Sequence, residues 1–501
     1  MSKQIKILGI VILVCYAALF LKLNQVQVLE AADYNSRPEN TRTLQRDFNQ
    51  PRGDIITADG NIAATSEERR AALRYQRVYP DGELFSAVTG FYSFNLGSDG
   101  VERTYNEQLA GRTASLKLNK LSGFFSDTSS EGDVVLTVRK DVQEVARQAL
   151  GDRKGSVVAL DPRTGAILAL WSSPTYDPNL LSNNDAKQAK AARQLYEASP
   201  AKPLLPKSYR ERYFPGSTFK VVTTTAGLTS GAVTPQAPTY PVVTSYTPPL
   251  TTRPISNFDG DPCGGTLFTV LAKSCNTSFA QMAAENLGPD PMIDAAQAAG
   301  FNDVPPIDLP RPAMSVYPTD FGSVVRRPDG QAPVYEDTPK LAQTAIGQND
   351  VRSTPLQMAL VAAGVGNGGR IMTPHVMSEV RARDGDVVEK YRISPWRDSM
   401  KSDVASTVRQ AMVGVVQDGT ARTMAIPGVE VGAKTGTAQL GTTPPRSHGW
   451  MIAFAGPPGE SAHVAVAVLV EDLPGVSEAT GGSTAGPVAK AVLQAALAAV
   501  G

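Results

Sequence analysis

The sequence predicts an α+β protein: an antiparallel sheet flanked by helices, a smaller region before it, and one apolar anchor at the N-terminus. Three observations carry that prediction. Strand patterns stand at both ends of the main region, a hairpin over residues 155–170 and the run His463–Val470. Helical patterns fill the interval, which fits a sheet flanked by helices. An unbroken apolar run, Ile7–Leu21, opens the chain.

The anchor comes first. Ile7–Leu21 contains only Tyr16 as a polar group, with Lys3 and Lys6 before it and Lys22 after it. Its fifteen residues fall short of the roughly 20 that span a bilayer. Adding Ile5 and Leu23, with Lys6 and Lys22 snorkelling to the interfaces, makes a span feasible. The leading lysines predict a cytoplasmic N-terminus, residues 1–6, with everything after the span at 7–23 outside. A cleaved signal peptide is the rival, and no clear small-x-small site directly follows the run.

Residues 24–152 form the smaller region. Gln25–Leu29 reads as helix continuing from the membrane. Pro51–Gly60 reads as a short strand entering an Asp-Gly turn. It contains an Arg52-Gly53-Asp54 triplet, taken as a turn with locally paired charges rather than an adhesion motif. Val134–Val138 is a strand, and Asp141 is expected to cap an apolar-periodic helix ending at Leu150.

Residues 153–501 form the main region. It opens with the hairpin Gly155–Leu160, turn Asp161–Gly165, and Ala166–Leu170. Thr234–Pro262 carries seven prolines and many threonines, a composition expected to form a long surface loop without regular structure. His463–Val470 is a buried strand, and Pro487 starts a final helix through Val500.

Composition excludes several functions. Acidic and basic residues balance at 48 each, which argues against nucleic acid as the main partner. The three histidines, at 375, 448 and 463, are scattered. Without H-E-x-x-H or Cys-x-x-Cys spacing, neither a metal site nor a cofactor is expected. Cys15 lies in the apolar run. Cys263 and Cys275 would face an oxidising compartment, and two readings stay open: a disulfide, or two small buried thiols.

Three short motifs carry chemistry. Ser217-Thr218-Phe219-Lys220 follows a Pro-Gly break and sets a hydroxyl and an amine on one helix face. An amine there can take the serine proton and activate it as a nucleophile. The helix start also offers unpaired N–H groups to a developing oxyanion. A second S-x-x-K, Ser199–Lys202, fails because Pro203 pushes Lys202 out of the helical region. Ser274-Cys275-Asn276 interrupts a helical pattern; the S-x-N copies at Ser93–Asn95 and Ser182–Asn184 suit turn or capping roles. Lys434-Thr435-Gly436-Thr437 sits on an expected strand. Gly436 permits close ligand approach, and Thr435 and Thr437 share one face, where they could grip a carboxylate beside Lys434.

With S-x-x-K, S-x-N and K-T-G in this order, the chain resembles the class B penicillin-binding proteins, in particular the shorter ones. The likeness extends over nearly the whole chain. It takes in Arg52–Ile55 of the family's N-terminal pedestal, Asp161–Asn179, Ile346–Asn349, Thr354–Ala359, Asn367–Gly369 and His448–Trp450. No glycosyltransferase region precedes the pedestal, which separates it from class A relatives.

The resemblance implies a penicillin-binding, serine β-lactamase-like transpeptidase domain acting on the D-Ala-D-Ala ends of peptidoglycan stem peptides and acylated by β-lactams. Ser217 would be the nucleophile and Lys220 its base. Ser274 and Lys434 would relay a proton to the leaving D-alanine. Asn276 would position the peptide, backbone N–H groups of Ser217 and Thr437 would form the oxyanion hole, and Thr435 and Thr437 would hold the terminal carboxylate beside Gly436. A membrane-embedded glycan polymerase is the partner that the resemblance suggests for the pedestal.

A β-lactamase needs a base for its deacylating water, and no Glu-x-x-Leu-Asn element follows Ser274. A D,D-carboxypeptidase of the same fold remains an alternative. The 160 residues between Ser274 and Lys434 suit a larger transpeptidase. A membrane sensor would need an intracellular output domain, and six residues precede the apolar run; a scaffold role could coexist with catalysis.

Overall fold

A computed structural model of the chain describes residues 2–25, 42–118, 131–474 and 481–500. Helix Ser2–Asn24 runs through the apolar segment. At 1.5 Å per residue its 23 residues reach about 34 Å, enough for a hydrocarbon core of about 30 Å. Its apolar side chains are exposed along its length. The expected continuation through residues 26–29 lies outside the described residues.

The main sheet has five antiparallel strands: β1 Gly155–Leu160, β2 Ile167–Ser173, β3 Glu430–Gln439, β4 Arg446–Gly456 and β5 Val464–Pro474, in the order β3-β4-β5-β1-β2. The chain leaves the sheet after β2 and returns more than 250 residues later. All six residues of β1 are buried. Because alternate residues face opposite sides, helices must cover both faces. The helices Lys140–Leu150 and Gly486–Val500 pack on each other and on the sheet. Helix Pro355–Gly366 also packs on it and is buried at every position. Thr354 caps that helix by accepting from Gln357 N at 3.1 Å, with proline in the first turn.

The pedestal sheet runs Val387–Lys390, Met377–Ala382, Gly132–Leu136, Ile55–Ile56, Ile62–Glu68, Tyr75–Val78. Its first two strands come from the main region, so the chain crosses the division expected near residue 153. The helix before that point crosses it as well. Buried Gln143 accepts from Leu170 N at 2.8 Å and donates to Leu170 O at 3.0 Å and Leu84 O at 2.9 Å. Asp308 ties the two parts again, accepting from Tyr105 Oη at 2.6 Å, Val376 N at 2.7 Å and Met377 N at 3.0 Å.

Three local expectations change. Asp141 is not the N-cap residue of helix Lys140–Leu150; it lies inside the first turn, where its side chain accepts from Val142 N at 2.7 Å. Asp59, from the Asp-Gly turn, accepts from Lys140 N at 2.9 Å and Asp141 N at 3.3 Å instead. The charges of the Arg52-Gly53-Asp54 triplet do not pair locally: Arg52 and Arg77 both grip Glu102, at 2.7 and 2.5 Å, inside the pedestal. That burial removes the adhesion reading. Within Thr234–Pro262, Tyr240–Val243 pairs with Cys263–Gly265 and Ser245–Tyr246 with Ile255–Ser256. Asn257 bridges this segment, donating to Val243 O at 2.8 Å and Asp261 O at 3.1 Å. Such cross-chain ties supply order that composition alone does not reveal.

Candidate active site

The first motif forms a tight 3₁₀ turn, Gly216–Phe219, that passes directly into helix Lys220–Ser230. Gly216 has φ +54°, and a Cβ there would lie 2.6 Å from Thr437 O, so only glycine fits. Gly216 N donates to Gly347 O at 3.0 Å. Trp450 Nε1 donates to Phe214 O at 3.0 Å. The start of the helix that follows Ser217 is thereby clamped between the Ile346–Asn349 segment, β3 and β4. Ser217 lies in the first turn, where helix N–H groups have no intrahelical partner.

A buried polar network holds the approach to that turn. Tyr213 Oη lies 2.8 Å from Glu211 Oε2 and 2.9 Å from Glu471 Oε1, and Lys207 Nζ donates to Glu471 at 2.7 Å. Burial, then the two carboxylates, hold the Tyr213 phenol far above its ordinary pKa, so it stays a donor. His448 packs edge-on against Tyr213 at 5.3 Å and accepts at Nδ1 from Asp472 N at 3.1 Å. Burial pushes its pKa down to about 4.

The second motif interrupts two helices, Leu267–Ala272 and Asn276–Gln281. Ser274 has φ +61°, an unusual conformation for a non-glycine residue. This bend turns Ser274 toward both lysines. Lys220 Nζ donates to Ser274 O at 2.6 Å, to Ser274 Oγ at 3.2 Å and to Asn276 Oδ1 at 2.7 Å. Lys434 Nζ donates to Ser274 Oγ at 2.9 Å and Thr435 O at 3.0 Å. Both amines are fully buried. Asn276 Nδ2 donates to Ser256 O at 3.1 Å. Cys263 and Cys275 are joined by a disulfide, with Cα atoms 5.5 Å apart, so the middle residue of the motif is tethered.

The third motif lies on β3, where Lys434 is opposite Ile452 and Gly436 opposite Trp450 of β4. A Cβ at Gly436 would come within 2.9 Å of Thr218 Cγ2, so the Gly216–Phe219 turn can press against this strand. Ser217, Asn276 and Thr437 line one cavity of about 520 Å³ with Ser256, Asn257, Gln343 and Gln439. A larger cavity of about 870 Å³, lined by residues such as Phe268, Arg409 and Glu430, holds none of the motif residues. Chemistry, not size, therefore locates the site.

The Lys220 amine is directed at Ser274 and Asn276. One placement differs from the simplest reading of the motifs. Thr435 and Thr437 do not line the cavity together. Thr437 does, whereas the Thr435 hydroxyl lies 2.6 Å from that of Thr420. Thr420 has no motif of its own, and neither it nor Asn257 was visible as a site residue in the sequence. The rejected pair is at the surface: Ser199 ends helix Ala186–Ala198, and Lys202, at φ +52°, reaches Glu211 at 3.8 Å.

A buried serine between two lysines, beside a second serine at a helix start and a K-T-G strand, defines a serine acyl-transfer site. The chain belongs to the penicillin-binding protein transpeptidase family. Residues 155–494 match the penicillin binding protein transpeptidase domain, and residues 52–135 match the penicillin binding protein A dimerisation domain. The chain is 38% identical to the peptidoglycan D,D-transpeptidase PbpA of Mycolicibacterium smegmatis and 37% identical to that of Mycobacterium tuberculosis, over 99% of each chain. The ceftriaxone acyl-enzyme complex of M. tuberculosis penicillin-binding protein A superposes with a TM-score of 0.80 at 35% identity, covering 90% of this chain and 100% of that one.

Proposed function

We propose that this chain is a peptidoglycan D,D-transpeptidase that works through a Ser217 acyl-enzyme. The observation that carries the reading is the position of Ser274 Oγ, 3.2 Å from Lys220 Nζ and 2.9 Å from Lys434 Nζ, while Asn276, bonded to the same Lys220 amine, lines the Ser217 cavity.

The chemistry follows from that arrangement. Lys220, as the free amine, takes the Ser217 proton while Oγ attacks the carbonyl carbon between the two D-alanines. The developing oxyanion meets the backbone N–H groups of Ser217 and Thr437. Collapse breaks the C–N bond. Ser274 gives its proton to the departing amine and is resupplied from Lys434. Asn276 Nδ2 exchanges Ser256 O for a substrate carbonyl. Thr435 and Thr437 donate to the terminal carboxylate. The amine of a neighbouring stem then attacks the ester carbonyl, passing a proton through Ser274 to Lys434; the C–O bond breaks, Lys220 returns its proton to Ser217 Oγ, and a cross-link is left. β-Lactams acylate the same oxygen, and the lactam ring opens in place of the peptide bond.

The test is covalent labelling. Wild-type protein incubated with penicillin G gains one penicillin mass, and peptide mapping places it on Ser217. Ser217→Ala abolishes the adduct. An adduct that survives in the variant, or maps to Ser199, rejects the assignment.

A further inference from the structure

The hydroxyls of Thr420 and Thr435 are 2.6 Å apart, and either could be the donor. Thr420 lies outside all three motifs, just past helix Ser402–Gln417. Its backbone N donates to Ala272 O at 3.2 Å, at the end of the helix that leads into Ser274. A Cβ at Gly419 would collide with the same Ala272 carbonyl. Thr420 also lines a cavity of about 380 Å³ with Ser274 and Cys275. Thr437, on the face of β3 that carries Thr435, lines the Ser217 cavity. Thr435 lies two residues before Thr437 on that strand face, with its hydroxyl against that of Thr420.

We propose that Thr420 is a positioning residue that commits the Thr435 hydroxyl to donating toward a carboxylate. A hydroxyl has one proton and two lone pairs. If Thr435 donates to Thr420, its proton is spent. If Thr420 donates, Thr435 accepts at its oxygen and keeps its own proton for a ligand. A carboxylate is acceptor-only and selects the second arrangement, and a donated bond polarises the hydroxyl that receives it. This inference rests on the reading of Thr435 as a carboxylate ligand and names what orients it. Its functional consequence is a preference for ligands with a free terminal carboxylate over otherwise identical neutral ones.

The experiment compares acylation by penicillin G and by its methyl ester in wild type, Thr420→Val and Thr420→Ser, with melting temperatures measured alongside. The expected result is a rise of about tenfold in the penicillin G concentration giving half-maximal acylation of the valine variant. The maximal rate, the ester reaction and the melting temperature stay near wild type, and the serine variant recovers the acid preference. Equal losses for acid and ester in the valine variant, or no loss for either, overturn the proposal. So does loss of folding in the valine variant together with a serine variant that lacks the acid preference. A wild-type protein that penicillin G does not acylate would instead overturn the transpeptidase reading.

Discussion

At the residue scale, Ser274 connects the two lysines. Its left-handed backbone, φ +61°, is unfavourable for a side chain with a Cβ. The disulfide one residue later and the Asn257 Oδ1 bond to Thr277 N, 3.0 Å, help hold it there. His448 shows a second residue-scale effect. Burial depresses its pKa to about 4, below the ordinary value near 6.5. The folded state therefore favours the neutral ring. The sign follows: this contribution is present above pH 6.5 and is lost as pH falls toward 4. Stability should drop by up to about 1.4 kcal/mol per pH unit in that window from this group. His375, also depressed by burial, adds in the same sense. Melting temperatures from pH 7.5 to 4 test it: His448→Gln should flatten part of the slope, and an unchanged slope would remove His448 as a source.

At the scale of elements, local signals predicted kind better than partners. The hairpin β1–β2, the C-terminal helix and the strand carrying Lys434 were legible because period-two and helical patterns are properties of consecutive residues. The cap of helix Lys140–Leu150 was not, because its donor groups meet Asp59, some eighty residues earlier in the chain. Asp59→Ala should cost about 1 kcal/mol of stability, whereas Asp141→Ala should leave the cap intact. Denaturant unfolding of both variants distinguishes them, and an equal effect would contradict the assignment. The motif lysines and serines were readable as types at fixed spacings. Thr420 was not, since its role depends on one contact with β3.

At the scale of the whole molecule, an exposed apolar helix of 23 residues precedes a pedestal and a main domain joined by buried contacts through Gln143 and Asp308. The lysines before the apolar run predict that the domain lies outside. An alkaline phosphatase fusion after residue 30 should be active, and an inactive fusion beside an active cytoplasmic reporter would reverse the topology.

Sequence alone determined the class of fold and the N-terminal apolar helix, and singled out Ser217, Lys220, Ser274, Asn276 and Lys434 as candidates, because apolar periodicity and motif spacing are encoded between near neighbours. Tertiary structure decided how Lys220 and Lys434 share one hydroxyl, that Cys263 meets Cys275, that Thr420 backs Thr435, and that a hairpin at 377–390 completes the pedestal sheet. Those are distances between atoms far apart in the chain, and they are set by packing across the whole core.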